Sequence, residues 1–287
     1  MTRSVLKKLL PEVVLAVPFP KSMRWADLDI TFARPIHTIV ALLGDKTIPF
    51  RVGNIKSGRN SCGHVFMAPG KVKLSRAGAY TDALRQAHVI ADIDARRRLV
   101  VEEVTRAAAA AGGRVLADEA LVDIVTNLVE NPVATTGRFE TQFLEVPKEV
   151  LITAMREHQK YFAVIDKKKN LMPCFIAVNN TRTKNLKLAA AGHEKVIRAR
   201  LEDGRFFYQT DLKDTFDQWV ENLKGVVFQA KLGTMHDKVM RTRRVAEFLA
   251  DLSGQSAAVR KKVSRAALLC KADLVSEVVG EFPKLQG

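Results

Sequence analysis

The stretch REHQKYF, residues 156–162, packs two cations, a carboxylate, an imidazole, an amide and two aromatic rings into seven positions. Glu157 or His158 could serve as a general base. Arg156, His158 and Lys160 could instead grip the phosphate or sugar of a nucleic acid. A third reading is a structural corner. Tyr161 and Phe162 would enter the core as first strand residues, and the polar groups would bond to neighbouring loops. On residue types alone the corner and the contact readings stand level, ahead of catalysis. A second constellation is the doublet His236-Asp237. A histidine, a His-Asp doublet and a later aspartate carried on helices can bind a divalent metal and activate water. Asp273, in CKADLV, lies one helix downstream, and His193 is the one histidine at a workable upstream distance. The plainer reading is a surface His and Asp near the start of a helix.

Two more segments carry cations among structured positions. In VNNTRTKN, Asn179 and Asn180 are turn formers, and Arg182 and Lys184 are natural phosphate ligands. In EKVIRARLEDGRFF, Arg198 and Arg205 are seven apart and share a helix face, with Arg200 between them. Several signatures are missing. The sequence has no G-x-x-x-x-G-K-[ST] loop, no dinucleotide-binding glycine fingerprint, no G-x-S-x-G elbow, no His-x-x-x-His pair and no calcium loop.

The elements that must position these groups change character along the chain. Residues 5–16 read as a short amphipathic helix. ITFARPIHTIVALL reads as strand material, with Pro35 placing it at an edge or a bulge, and GDKT turns into IPFRVG. GRNSCGHVFMAPGKVKLS is turn-rich with short β pieces. From about residue 79 the period becomes helical. AYTDALRQAHVI, DIDARRRLVVEEVTRAAAAAGG and DEALVDIVTNLVENP read as helices, the second stopped by Gly-Gly and the third by proline. PKEVLITAMREHQ opens with proline in its first turn. KYFAVIDKKKNLMPCFIAVNN is an alternating strand, a basic turn and a second strand, so REHQKYF sits where a helix hands over to a hairpin. After about 184 everything reads as helix. The expected class is α+β, with a mixed α/β domain over 1–215 and a helical domain over 216–287.

Composition bounds the function. The 287 residues are 47% hydrophobic and 27% charged, ordinary for a globular protein. No apolar run reaches the roughly 18 residues a membrane helix needs, and Pro11 and Glu12 interrupt the N-terminal apolar stretch, which argues against a signal peptide. Three dispersed cysteines, Cys62, Cys174 and Cys270, argue against a disulfide framework or a zinc ribbon and suit a reducing cytoplasm. The net charge of +15 points to a polyanionic partner. With aromatics at 7%, backbone contacts to a structured nucleic acid suit the composition better than a stacking platform for single strands.

Eight stretches in order carry a resemblance: PFPKSMRW, FARPIHTIVALL, SGRNSCGHVFMAPG, VPKEVLITAMREHQKYFAV, PCFIAVNNT, GHEKVIRARLEDGRFFYQTDLK, LKGVVFQAKLGTMHDKV and CKADLVSEVVGEFPKLQG. Together they resemble the β subunit of bacterial heterotetrameric glycyl-tRNA synthetase, of which this sequence looks like a middle fragment. The resemblance implies an α2β2 assembly in which the α subunit binds ATP, Mg²⁺ and glycine, while the β subunit binds tRNA-Gly. No cofactor is then expected in this chain. It further implies a region similar to the RNA-associated domain of the phenylalanyl-tRNA synthetase β subunit, followed by a truncated HD-like helical domain. The RNA-contact candidates are Arg156, His158, Lys160, Arg182, Lys184, Arg198 and Arg200. The metal candidates are His236, Asp237 and Asp273. The rival function is a metal-dependent HD-type phosphohydrolase or an ester-hydrolysing editing domain. Location in the cytoplasm and the absence of a membrane partner complete the expectation.

Overall fold

The structure is a computed structural model and describes residues 2–287. In chain order the elements are α1 (Thr2–Leu15), β1 (Ile39–Val40), β2 (Leu42–Leu43), β3 (Lys46–Thr47), β4 (Arg51–Val52), β5 (Ile55–Gly58), β6 (Asn60–Cys62), β7 (Lys71–Lys73), α2 (Tyr80–Gln86), α3 (Ile93–Ala110), β8 (Arg114–Val115), α4 (Glu119–Leu128) and β9 (Val133–Arg138). They continue as α5 (Lys148–Thr153), β10 (Phe162–Ile165), β11 (Leu171–Asn179), α6 (Leu186–Asp211), α7 (Phe216–Asn222), β12 (Val227–Gln229), β13 (Gly233–Thr234), α8 (Met235–Leu252), α9 (Ala257–Leu269) and α10 (Glu277–Glu281). The class is α+β, as the periodicity predicts. The chain divides into two compact units. The first holds residues up to Glu103 with Val122–Ala134 and Val178–Lys184, and the second holds Val104–Leu121, Thr135–Ala177 and Asn185–Gly287.

In the first unit α1 presents Leu6, Leu10 and Val14, spaced by four, to a cluster of Ala41, Ile48, Phe50 and Val52. Strand β1 pairs parallel with β5, β4 pairs antiparallel with β5, and β6 pairs antiparallel with β7. The expected strand over Ile30–Leu43 is corrected here to two dipeptide strands, β1 and β2, and one isolated bridge, Met23 to Phe32. Pro35 has no N–H to give a ladder. Ile30, Ile36 and Ile39 all turn to the α1 cluster instead of alternating between two faces.

The second unit is built on a four-stranded sheet in the order β8-β10-β11-β9. Strands β10 and β11 form the predicted antiparallel hairpin, with Phe162 opposite Ile176 and Ala163 opposite Phe175. Its basic turn places Lys169 at φ +67°. Phe143, Leu151, Met155, Phe175, Ile197 and Leu201 are fully buried together. Burying side chains of this size contributes roughly 1.5–3 kcal/mol each. That exceeds the 0–1 kcal/mol typical of a surface ion pair, so this cluster holds the unit. Helix α6 meets it along Ile197, Leu201 and Gly204. A Cβ at Gly137 would overlap the Phe175 ring, so the glycine is what lets the ring lie there. The region after 184 is not wholly helical: β12 and β13 form a short hairpin inside the expected helical run. Val226, Val227 and Phe228 favour extended backbone, and Gly233 supplies the φ of +85° that brings the chain back.

Candidate nucleic-acid interface

The 156–162 corner is built by a change of helix type. Helix α5 ends at Thr153 and passes into a single π-helical turn, Ala154–His158. Such turns add a residue to the helical repeat and rotate the side chains that follow. Here the turn buries Ala154 and Met155, leaves Arg156 and Glu157 part-buried and exposes His158. Lys160, at φ +57°, reverses the chain, and the Tyr161 N–H donates to the Met155 carbonyl at 3.0 Å. Tyr161 and Phe162 then enter the core, 6% and 1% exposed.

The polar groups of the corner are engaged within the second unit. Arg156 Nε donates to Asp118 Oδ2 at 2.5 Å, a second guanidinium nitrogen reaches Asp118 Oδ1 at 3.4 Å, and the third bonds Glu157. Glu157 also pairs with Lys284 at 2.9 Å. The Lys284 pairing is the main cause holding the Glu157 carboxyl below its usual range, against a smaller opposing effect of burial. Burial pushes Asp118 up, but the hydrogen bonds from Arg156 and from the Leu121 N–H outweigh it and leave the carboxyl below its usual range. Its bonds to Asp118, first, and to Glu157 raise the Arg156 guanidinium further. Lys160 Nζ donates to the Glu157 carbonyl at 2.8 Å, and His158 lies edge-on to Phe282 at 5.7 Å. Tyr161 stacks on Phe175 at 4.6 Å, and its hydroxyl is 2.8 Å from His193 Nδ1. Burial lowers the His193 imidazole and pushes the Tyr161 phenol up to about 12.

The remaining cations are more available. Arg182 and Lys184 are exposed in the first unit, just past the end of β11. On α6, Arg198 pairs with Glu140, and Arg200 lies 3.8 Å from Asp203 and 3.9 Å from Glu281. Arg205 sits over the Phe143 ring at 5.4 Å. Exposed pairs such as those of Arg198 and Arg200 are worth about 0–1 kcal/mol. A phosphate can therefore replace their partners at little cost. Releasing Arg156 would leave the part-buried Asp118 carboxylate without its cation and Glu157 with Lys284 alone, which costs more. The order of availability is thus Arg182 and Lys184, then Arg200 and Arg198, then Lys160 and His158, with Arg156 last.

The histidine-aspartate doublet starts α8. Thr234 and Asp237 form a capping box: the Asp237 N–H donates to Thr234 Oγ1 at 3.2 Å, and Asp237 Oδ2 accepts from the Thr234 N–H at 2.9 Å. The Thr234 N–H and the Thr234 hydroxyl, both donating to Asp237 Oδ2, hold the Asp237 carboxyl below its usual range. Asp273 accepts from the Gly287 N–H at 2.8 Å. His193, the upstream candidate, faces Tyr161. Among the described residues no group of three or more His, Cys, Asp or Glu is arranged to hold a metal ion. No helix of the described residues is long and apolar enough to cross a membrane.

Sequence reasoning did not single out His64, which is fully buried in the first unit. Its Nδ1 accepts from the Phe66 and Met67 N–H groups at 3.2 Å each. That fixes the tautomer, so Nε2–H donates to the Asn180 carbonyl at 2.8 Å. The Asn180 Oδ1 in turn accepts from the Glu130 N–H at 2.6 Å. Histidine between a glycine and two exposed apolar residues was the available signal, but its partner lies far along the chain.

The family model described as glycyl-tRNA synthetase beta subunit matches residues 1–287. The chain belongs to this family. Among curated relatives it is similar to the glycine–tRNA ligase beta subunit of Desulforapulum autotrophicum, 54% identical over all of this chain and 42% of that protein. The beta subunits of Desulfatibacillum aliphaticivorans and Geobacter sulfurreducens are 52% and 50% identical over 100% and 99% of this chain. The chain spans about two fifths of the length of these relatives. The resemblance drawn from the eight sequence stretches is thereby confirmed at the level of the family.

Proposed function

We propose that this chain is the tRNA-binding and assembly region of a glycyl-tRNA synthetase β subunit. On this reading it works beside an α subunit, in an α2β2 enzyme, in the ATP-dependent joining of glycine to tRNA-Gly in the cytoplasm. ATP and Mg²⁺ belong to the α subunit. The family match across residues 1–287 carries the proposal. The net charge of +15 supports a role on RNA. Residues 1–215 would form a mixed α/β domain like the RNA-associated domain of the phenylalanyl-tRNA synthetase β subunit, and 216–287 part of an HD-like helical domain. Arg182 and Lys184 are the foremost phosphate ligands, Arg198 and Arg200 the next.

The test is a reconstituted glycylation assay with the α subunit and the full-length β subunit. Charging of tRNA-Gly should require the β subunit, and Arg182→Ala with Lys184→Ala should raise the KM for tRNA several-fold. Equal charging by the α subunit alone would refute the proposal.

A further inference from the structure

The loop from Gly63 to Ala68 combines rigid anchoring with an exposed aromatic ring. His64 is 0% exposed, while Phe66, two residues later, is 77% exposed and Val65 is 64% exposed. A flexible loop would fold such a ring back against the protein. This loop is held by five hydrogen bonds instead. The His64 N–H donates to the Ala87 carbonyl at 2.9 Å, its ring accepts from the N–H groups of Phe66 and Met67, and its Nε2 reaches the Asn180 carbonyl. The Ala68 N–H closes the turn on the His64 carbonyl at 2.9 Å. A Cβ on Gly63 would press on the Ala68 carbonyl, so the tight entry needs glycine. The outcome is a ring whose backbone is fixed before any partner arrives, which lowers the ordering cost of binding.

The surroundings say what the partner is. The Arg182 N–H lies 3.4 Å from the Met67 sulfur, so the exposed Arg182 and Lys184 leave the chain beside this loop. Lys71, opposite Cys62 in the β6–β7 pair, is exposed at the foot of the same loop. Val65 also lines a cleft of about 730 Å³ with the half-exposed Tyr80, and Glu130 is its one carboxylate. Large enough for a nucleotide, the cleft is walled by Tyr80, and its one cation, Arg96, is held by the Thr126 and Ile90 carbonyls. A solvent-exposed aromatic flanked by cations matches a strand whose phosphates are neutralised while an unpaired base stacks. We infer that Phe66 is a stacking platform for an unpaired nucleobase of the bound RNA, with Arg182 and Lys184 taking the adjoining phosphates. This rests on the RNA-binding reading above and adds which part of the RNA meets this loop.

The test measures binding of the purified chain to two RNAs at fixed salt: a fully paired hairpin, and the same hairpin with a single-stranded 3′ tail carrying 2-aminopurine. Phe66→Ala should weaken binding of the tailed RNA about 5- to 100-fold, leave the paired RNA unchanged and abolish quenching of the 2-aminopurine. Phe66→Trp should restore both. Because the ring is in solvent, the Ala variant keeps its thermal midpoint. If the original protein binds neither RNA, the RNA-binding reading itself fails. If it binds both and Phe66→Ala changes nothing, the stacking inference is overturned alone. Loss of co-purification with the α subunit and unchanged RNA binding would overturn it too, making the loop a protein contact.

Discussion

The Tyr161 hydroxyl sits 2.8 Å from Nδ1 of His193, and the same phenol ring stacks on Phe175. This joins the end of the 156–162 corner to helix α6 and to the sheet in one contact chain. It also makes the corner sensitive to acid. Burial lowers the His193 imidazole below its free value of 6.5, so the unfolded chain binds its proton more readily. Stability from this group is fully present above about pH 6.5 and is lost as pH falls below it. Urea midpoints taken at pH 7.5 and 5.5 should differ, and His193→Asn should narrow that difference. Tyr161, pushed up to about 12, adds no pH dependence near neutrality; its contribution is fully present there and is lost as pH rises beyond 10.

Asp118 and Arg156 form the anchor beneath the corner. Asp118→Asn removes the charge that Arg156 faces through two bonds. The loss should be about 1–3 kcal/mol at pH 7 by denaturant titration. The native carboxylate titrates below 3.8, so the gap between the two proteins should shrink as pH falls through and below that value. An undiminished gap at pH 3 would show that the pair contributes through shape and not charge.

Gly137→Ala should cost about 1–3 kcal/mol, the usual range for overpacking a full core. Phe175 is 0% exposed and already stacked on Tyr161, so the ring has nowhere to retreat. Near-ultraviolet circular dichroism should report the disturbed Tyr161–Phe175 pair. An Ala variant with an unchanged signal and midpoint would contradict the packing described.

His64→Ala leaves the Phe66 and Met67 N–H groups and the Asn180 carbonyl without the ring. With the ring fully buried, the expected loss is about 2 kcal/mol or more. Amide exchange at Phe66 and Met67 should accelerate more than at the β10–β11 hairpin. Uniform acceleration across the chain would mean that the loop has no independent anchor.

Local pattern made some of this fold legible and distance along the chain hid the rest. The β10–β11 hairpin was plain, because alternating apolar residues flank a lysine-rich turn. Helix α6 was plain for its length and period. Strand β9 went unread, since VATTGR lacks an alternating apolar pattern and carries a glycine, and its place is set by pairing beside β11 and making room for Phe175. The β12–β13 hairpin was lost because its two ends join helices of strong period. At the candidate interface the cation-bearing segments were visible as composition. Which cation is committed was not: Arg156 is spent on Asp118, 38 residues away, and Arg182 is not. His64 was hidden for the same reason, its carbonyl partner lying 116 residues on.

The central claim is tested most directly by titrating the chain with tRNA-Gly and with a non-cognate tRNA, each at low and near-physiological salt. The account predicts binding of both that weakens linearly on a log–log plot against salt, with a slope reduced in Arg182→Ala/Lys184→Ala. No measurable binding to either tRNA at low salt, or affinity indifferent to salt and to those two cations, would contradict it.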